Sequence, residues 1–264
     1  MNIDVLELRC PNRELIPSMR SLWKEAFGDS DEFLDSFFDI SFAPERCRVV
    51  ASGKEALGVL YIFDCEHQNK KIAYIYAVAT RKSARGQGIC KNLMENTHRY
   101  LADKGYAGAI LVPSEPTLFD FYAKLGYKTC TAVCEFDAEA SNSAVALKKI
   151  EKSEYINSRR VFLPQNSVSQ ENYNIEFLAT YASFYKGENF LLAAYKADGK
   201  LRGIELLGDA NAAPSILRTL ECDKGTFRAP PSENTDIAST RPFAMYFSID
   251  KNISPPEYFG IAFD

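Results

Sequence analysis

Two stretches of this chain carry residues whose types and spacing could do chemistry. In the first, an apolar run from Ile72 to Thr80 leads to Arg85-Gly86-Gln87-Gly88-Ile89, and an amphipathic helical pattern follows at once. A strand, a glycine-bearing turn and a helix start together make an anion site from backbone alone. Gly86 and Gly88 remove the side chains that would block close approach. The first open N–H groups of the helix then point at the bound anion, assisted by the helix dipole. Two familiar phosphate motifs fail here. A dinucleotide fingerprint needs a glycine where this chain has Lys91, and a P-loop needs Gly-Lys-Ser/Thr, which does not occur. The second stretch is Phe121-Tyr122-Ala123-Lys124-Leu125-Gly126-Tyr127.

The pair of stretches resembles the GNAT superfamily of N-acetyltransferases. The acyl-CoA loop of that superfamily reads Arg/Gln-x-x-Gly-x-Gly/Ala, and this chain has Arg85-Gly86-Gln87-Gly88-Ile89-Cys90, with Cys90 in the last small position. The approach Val78-Ala79-Thr80 is similar too, although Lys82 stands where a proline is common. Phe-Tyr-x-Lys-x-Gly-Tyr resembles the second signature at the expected distance. The resemblance covers residues 1–136. It implies transfer of an acetyl group from acetyl-CoA to a primary amine of a small molecule or peptide, by direct attack in a ternary complex and without a metal.

The same resemblance implies roles residue by residue. The N–H groups of Arg85, Gly86, Gln87, Gly88, Ile89 and Cys90 would cradle the pyrophosphate, with Lys91 and Arg85 adding charge. The pantetheine arm would lie along Val78, Ala79 and Thr80 like an added strand. An N–H near Val78 would polarise the acetyl carbonyl. Tyr122 would protonate the departing thiolate as general acid. Relatives often carry an Asn seven residues before this Tyr; here Glu115 stands there, and Ser114 is the substitute contact. The general base stays open, because Ile72 to Thr80 contains no carboxylate. A tyrosine (Tyr74 or Tyr76) with water, an acidic residue among Asp31, Glu32 and Asp35, and the C-terminal carboxylate of Asp264 are the alternatives.

The elements that must position these residues can be read from pattern. Val5 to Arg9 reads as a strand, then Asn12 to Phe27 and Asp31 to Phe42 as helices with aromatic stripes. Arg46 to Ala51, Ala56 to Glu66 and Lys71 to Thr80 read as strands, Gln87 to Lys104 as a helix capped by Gly105, and Ala107 to Val112 as a strand. Glu115 to Leu125 reads as a helix with Ser114 at its N-cap. Tyr127 to Phe136 would close the unit, with Cys130 and Cys134 on one strand face. The expected class is α/β, a GNAT fold with a twisted mixed sheet flanked by helices, plus a smaller α+β half.

Residues 137–150 read as a linker and 151–264 as the second half. There, Lys152 to Arg160, Asn172 to Tyr185 and Ala213 to Glu221 read as helices. Asn189 to Gly208 reads as a hairpin turning at Ala197-Asp198-Gly199. Strands are expected near Thr226 to Arg228, Phe243 to Ile249 and Tyr258 to Phe263. No second Arg-Gly-x-Gly occurs, so this half loosely resembles the degenerate second half of tandem members of the superfamily.

Bulk properties narrow the function. With 264 residues, 46% apolar and 25% charged, the chain can bury a core without staples. A net charge of −4 and a pI near 5.5 argue against nucleic acid as a main partner. Seven cysteines without Cys-x-x-Cys, and only His67 and His98 as imidazoles, argue against zinc and for reduced thiols in a cytoplasmic protein. No run approaches the roughly 20 apolar residues of a membrane span. The partners expected are acetyl-CoA and an amine acceptor; a homodimer through exposed strand edges is compatible with the sequence. The competing function class is an acyl-CoA-binding sensor or interaction module without turnover.

Overall fold

The apolar runs become strands of two separate seven-stranded sheets. A computed structural model describes residues 7–231 and 240–263. Among these, one unit holds the residues through Lys128 together with Met245–Ser254. The other holds Thr129–Ala244 and the residues from Pro255 onward.

The first sheet contains β1 (Glu7–Arg9), β2 (Cys47–Ser52), β3 (Glu55–His67), β4 (Lys70–Thr80), β5 (Gly108–Leu111) and β6 (Lys128–Thr129). A late strand, β14 (Met245–Ser248), lies between β5 and β6 and pairs antiparallel with β5. The pair β4 and β5 is parallel, while β1 to β4 form an antiparallel meander. α1 (Ile16–Phe27) stops at Gly28, whose φ of 78° only glycine adopts cheaply. α2 (Asp31–Ile40) starts at Ser30, whose hydroxyl accepts the Phe33 N–H. α3 (Ile89–Asp103) and α4 (Pro116–Lys124) complete the unit. Leu57, Leu60, Ile62 and Ile75 of the sheet share a buried core with Ile89, Leu93, Met94 and Leu101 of α3 and with Tyr122, Tyr127 and Met245. Trp23 and Phe37 from α1 and α2 meet Tyr61, Phe63 and Tyr76 in a cluster of rings. With cover on both faces, β3 is buried at almost every residue from Ala56 to Cys65 instead of alternating.

The second sheet runs β13-β7-β12-β11-β10-β9-β8. Its strands are β7 (Ala132–Glu139), β8 (Lys148–Ile150), β9 (Ser183–Lys186), β10 (Phe190–Ala197), β11 (Lys200–Gly208), β12 (Lys224–Ala229) and β13 (Thr240–Pro242). α5 (Lys152–Phe162), α6 (Tyr173–Leu178) and α7 (Ala213–Thr219) accompany it. The hairpin between β10 and β11 turns at Asp198 and Gly199, both at positive φ (51° and 72°), as a two-residue primed turn requires. Both sheets share one strand plan. Four strands run antiparallel in order, the fifth is parallel to the fourth, and the sixth position is filled by a strand from elsewhere in the chain. In the first sheet that strand is β14, and in the second it is β7.

Several sequence expectations change. Tyr127 to Phe136 is not one strand: β6 ends at Thr129, and β7 joins the other sheet. Between them the N–H groups of Cys130 and Thr131 donate to Ala244 O, at 3.0 and 3.4 Å. Cys134 is therefore a buried strand residue, whereas Cys130 is half-buried outside the strands. The stretch 137–150 contains the end of β7 and all of β8, and residues 245–254 belong to the first unit. The helix expected over Asn172 to Tyr185 stops at Leu178, because Ser183 to Lys186 finds strand partners on both sides, a tertiary override of local periodicity. Tyr258 to Phe263 is buried but forms no strand beyond a single bridge from Tyr258 to Ser167. Val5, Leu6 and Asp264 lie outside the described residues.

Candidate active site

The site begins where two strands part. β4 and β5 pair in parallel at Ile72 with Gly108, Ala73 with Ala109 and Tyr74 with Ile110; pairing ends there while β4 continues to Thr80. On its other edge β4 stays paired with β3, but the register slips, from Tyr61 opposite Tyr76 to Val59 opposite Ala79. The slip is a bulge at Ala77 and Val78. Ala77 takes φ 47°, a left-handed conformation that an L-residue adopts only under tertiary constraint. The result is a backbone edge from Tyr76 to Thr80 to which no described strand is paired.

The chain leaves β4 through a braced turn. The Arg81 N–H donates to Leu57 O (2.8 Å), and its guanidinium donates to Ala56 O (3.1 Å), Ser18 O (3.2 Å) and Glu25 (3.2 Å). Glu25 also accepts the Lys82 N–H at 2.6 Å. That bond, with the Arg81 charge, holds the Glu25 carboxyl below its usual value. Arg81 thus binds the scaffold and is not turned toward the loop. Gly86 and Gly88 follow at φ 76° and 75°, and no atom lies within 4 Å of where a Cβ would stand on either. The helix opens with the Asn92 N–H bonded to Gly88 O (3.0 Å), so Ile89, Cys90 and Lys91 supply the donors that a helix start leaves open.

The side chains of the loop serve it unequally. Arg85 Nε donates to Thr80 O at 3.2 Å, and Gln87 Nε2 to Ser83 O at 3.4 Å, so both fold back on the loop. Lys91 is exposed and within 3.8 Å of Glu95. Burial pushes the Cys90 thiol up to about 11, a shift that the nearby Thr80 hydroxyl moderates, which makes Cys90 a packing residue and not a nucleophile. Thr80 Oγ1 is buried and, apart from the neighbouring Cys90 thiol, has no polar partner. A buried hydroxyl with only a thiol beside it, an open glycine cradle and an unpaired strand edge together fit an extended ligand with amide and phosphate groups. Ser114 is exposed and does not cap α4; Glu115 occupies the N-cap, with no side-chain bond.

Tyr122 lies in α4, 7% exposed, with its ring edge-on to Tyr127. Burial raises its hydroxyl well above the ordinary phenol value, and the neighbouring Cys90 adds to the shift. The hydroxyl makes no hydrogen bond among the described residues. The structure therefore brings Tyr122 to the start of α3, beside the loop. The acidic candidates at the start of α2 are already engaged elsewhere. Asp31 is paired with Lys24 and lies 3.6 Å from Arg20, Asp35 is paired with Arg20, and both are exposed. The Lys24 bond lowers the Asp31 carboxyl, and the helix-start N–H lowers that of Glu32, which weakens both as bases. Among the described residues, no group of His, Cys, Asp and Glu could hold a metal ion, and no helix is long and apolar enough to cross a membrane.

Sequence reasoning missed the bulge at Ala77, the Arg81–Glu25 brace and the role of Gly58. A Cβ on Gly58 would stand 2.7 Å from Ile89 Cγ2, so this glycine admits the first residue of α3 against the sheet. A glycine inside an apolar strand was the available signal.

Comparison with known proteins agrees with this geometry. Residues 7–130 match the model of the acetyltransferase (GNAT) domain. No curated protein matches the chain in sequence. Among solved structures, a GCN5-related N-acetyltransferase from Kribbella flavida superposes with a TM-score of 0.70 at 18% identity, covering 93% of this chain and 72% of that one. A GCN5-related N-acetyltransferase from Anabaena variabilis gives 0.66 at 15%, covering 91% and 72%. Eis1 from Mycobacterium abscessus gives 0.65 at 12%, covering 93% and 74%. Residues 7–130 are a GNAT domain, and its class is that of the acyltransferases.

Proposed function

We propose that this GNAT domain transfers an acetyl group from acetyl-CoA to a primary amine of a small molecule or peptide, by direct attack in a ternary complex. The observation that carries the reading is the end of β4–β5 pairing at Tyr74, directly upstream of the bulge and the Gly86–Gly88 turn. That succession offers a strand edge for amide groups and then a helix start for phosphates.

Acetyl-CoA supplies the acyl group and a thiolate leaving group. Val78 and Thr80 would hold its pantetheine amides through their backbone, with the Thr80 hydroxyl as a further partner. The N–H groups of Gly86 to Cys90 would hold the pyrophosphate, with Arg85 and Lys91 lending charge and Ser114 a surface contact. The N–H at Val78 would stabilise the negative charge that develops on the carbonyl oxygen. Tyr122 keeps its proton through the working pH range and can give it to the departing sulfur. The base would be a tyrosine, Tyr74 or Tyr76, relaying the proton through water. The second half is read as a degenerate copy: it repeats the strand plan, but β11 leads to α7 through Gly208-Asp209-Ala210-Asn211-Ala212, without the glycine pair or a cation.

The test is thiol release from acetyl-CoA with a panel of small amines, polyamines and peptide N-termini, run on wild type and on Tyr122→Phe. Turnover with one amine class that collapses in Tyr122→Phe supports the reading. Tight acetyl-CoA binding without turnover on any amine would favour the sensor class.

A further inference from the structure

Behind the acid lies a buried histidine that the mechanism above does not use. His98 sits in α3, the helix that starts at the glycine loop, and is 8% exposed. Its Nε2 is 3.0 Å from the Tyr127 hydroxyl. Its ring stacks on Phe247 of the exchanged strand β14, with centroids 3.8 Å apart and planes 9° from parallel. Phe247 also meets Tyr127, at 5.6 Å between centroids. Tyr127, 2% exposed, is in turn the ring against which Tyr122 stands edge-on, at 5.8 Å and 67°.

The backbone imposes the same arrangement. α4 is followed by Gly126 at φ 92°, and the Tyr127 N–H turns back to Tyr122 O at 3.1 Å. A Cβ on Gly126 would come within 3.1 Å of Phe247, so glycine is needed there both for the turn and for β14 to approach. Three elements therefore meet through three side chains: His98 of the helix that follows the loop, Tyr127 of the turn after the helix carrying the acid, and Phe247 of a strand from near the end of the chain.

We propose that Tyr127 and His98, braced by Phe247, are positioning residues that fix the Tyr122 hydroxyl relative to the glycine loop. The proposal rests on reading Tyr122 as the general acid. A tyrosine ring packed only by other rings can rock about its side-chain torsions. The bond from Tyr127 to His98 removes that freedom one ring away from Tyr122, and the stacking on Phe247 removes it from His98. Burial draws the His98 imidazole down to about 4, so it stays neutral at neutral pH and presents a single donor and a single acceptor. The unit acts on alignment and not on charge, and alignment of a catalytic group is worth orders of magnitude in rate.

The experiment uses the full-length chain with acetyl-CoA and the best amine of the panel, and compares Tyr122→Phe, Tyr127→Phe, His98→Leu and His98→Gln. Thermal unfolding checks each fold. Tyr127→Phe and His98→Leu should each lower kcat about tenfold or more, with the KM for acetyl-CoA within about twofold of wild type. His98→Gln, whose amide can still bond Tyr127, should restore most of the loss. In a Tyr122→Phe background, Tyr127→Phe should add little, because no acid is left to align. Should His98→Leu fail to fold, the near-isosteric Tyr127→Phe carries the test alone. An impaired Tyr122→Phe beside an unimpaired Tyr127→Phe overturns the positioning role and leaves the acid standing. A fully active Tyr122→Phe, or no turnover with any amine, removes the acid assignment and this proposal with it.

Discussion

Burial raises the Tyr122 hydroxyl, so the residue holds the proton that the proposed role as general acid requires. Tyr122→Phe should lower kcat by roughly 10²- to 10⁴-fold, the range of general acid catalysis, and leave the KM for acetyl-CoA nearly unchanged. Since its hydroxyl titrates above the ordinary value of 10.0, Tyr122 should contribute no alkaline limb to the kcat profile below about pH 10. His98 gives a stability test of opposite direction. Its value falls from 6.5 to about 4 on folding, so the unfolded chain binds the extra proton first. Stability is then complete above pH 6.5 and declines as pH falls toward 4. Between pH 7 and pH 5 this one group should remove about 2 kcal/mol. Urea unfolding at both values should show a smaller loss in His98→Gln than in wild type.

At the scale of elements, the site depends on how closely α3 approaches the sheet. Gly58 sets that distance by leaving room for Ile89. Gly58→Ala should cost about 1–3 kcal/mol through overpacking and raise the KM for acetyl-CoA more than it lowers kcat, because it moves the start of α3 and not the acid. The same substitution at Gly88 meets no atom but sits at φ 75°, so its cost is backbone strain of about 1 kcal/mol. Both are read by denaturant midpoints beside steady-state kinetics. Why α3, β4 and the turn were legible is plain in these residues. Gly86 and Gly88 announce left-handed positions, and Ile89, Leu93 and Leu101 announce a buried stripe. Ala77 announces nothing. Its left-handed φ follows from the register that β3 forces on β4, and alanine has no local preference for it.

At the scale of the molecule, the first sheet is incomplete without Met245–Ser248 between β5 and β6. A chain ending at residue 136 should therefore lack a cooperative thermal transition, although it contains the loop, Tyr122 and all of the matched domain; a sharp transition would contradict the role of β14 in the first sheet. The second unit has a different dependence. Glu205, fully buried, accepts both Arg159 (2.7 and 2.9 Å) and the hydroxyls of Tyr155 and Tyr258 (3.0 and 3.1 Å). Glu205→Gln would leave the Arg159 charge buried and uncompensated, and should cost about 3–5 kcal/mol by denaturant unfolding.

The sequence by itself determined the glycine turn of the loop, the existence of the elements around it and the domain class, because glycine conformations, helix stripes and apolar runs are local properties of the chain. Only the tertiary structure decided which sheet β7 and β14 belong to, that Arg81 turns inward to Glu25, and that His98 and Phe247 stand behind Tyr127. Strand pairing and ring stacking join residues more than a hundred positions apart. The free energy of such contacts depends on what else is buried beside them, and no local window of the chain carries that information.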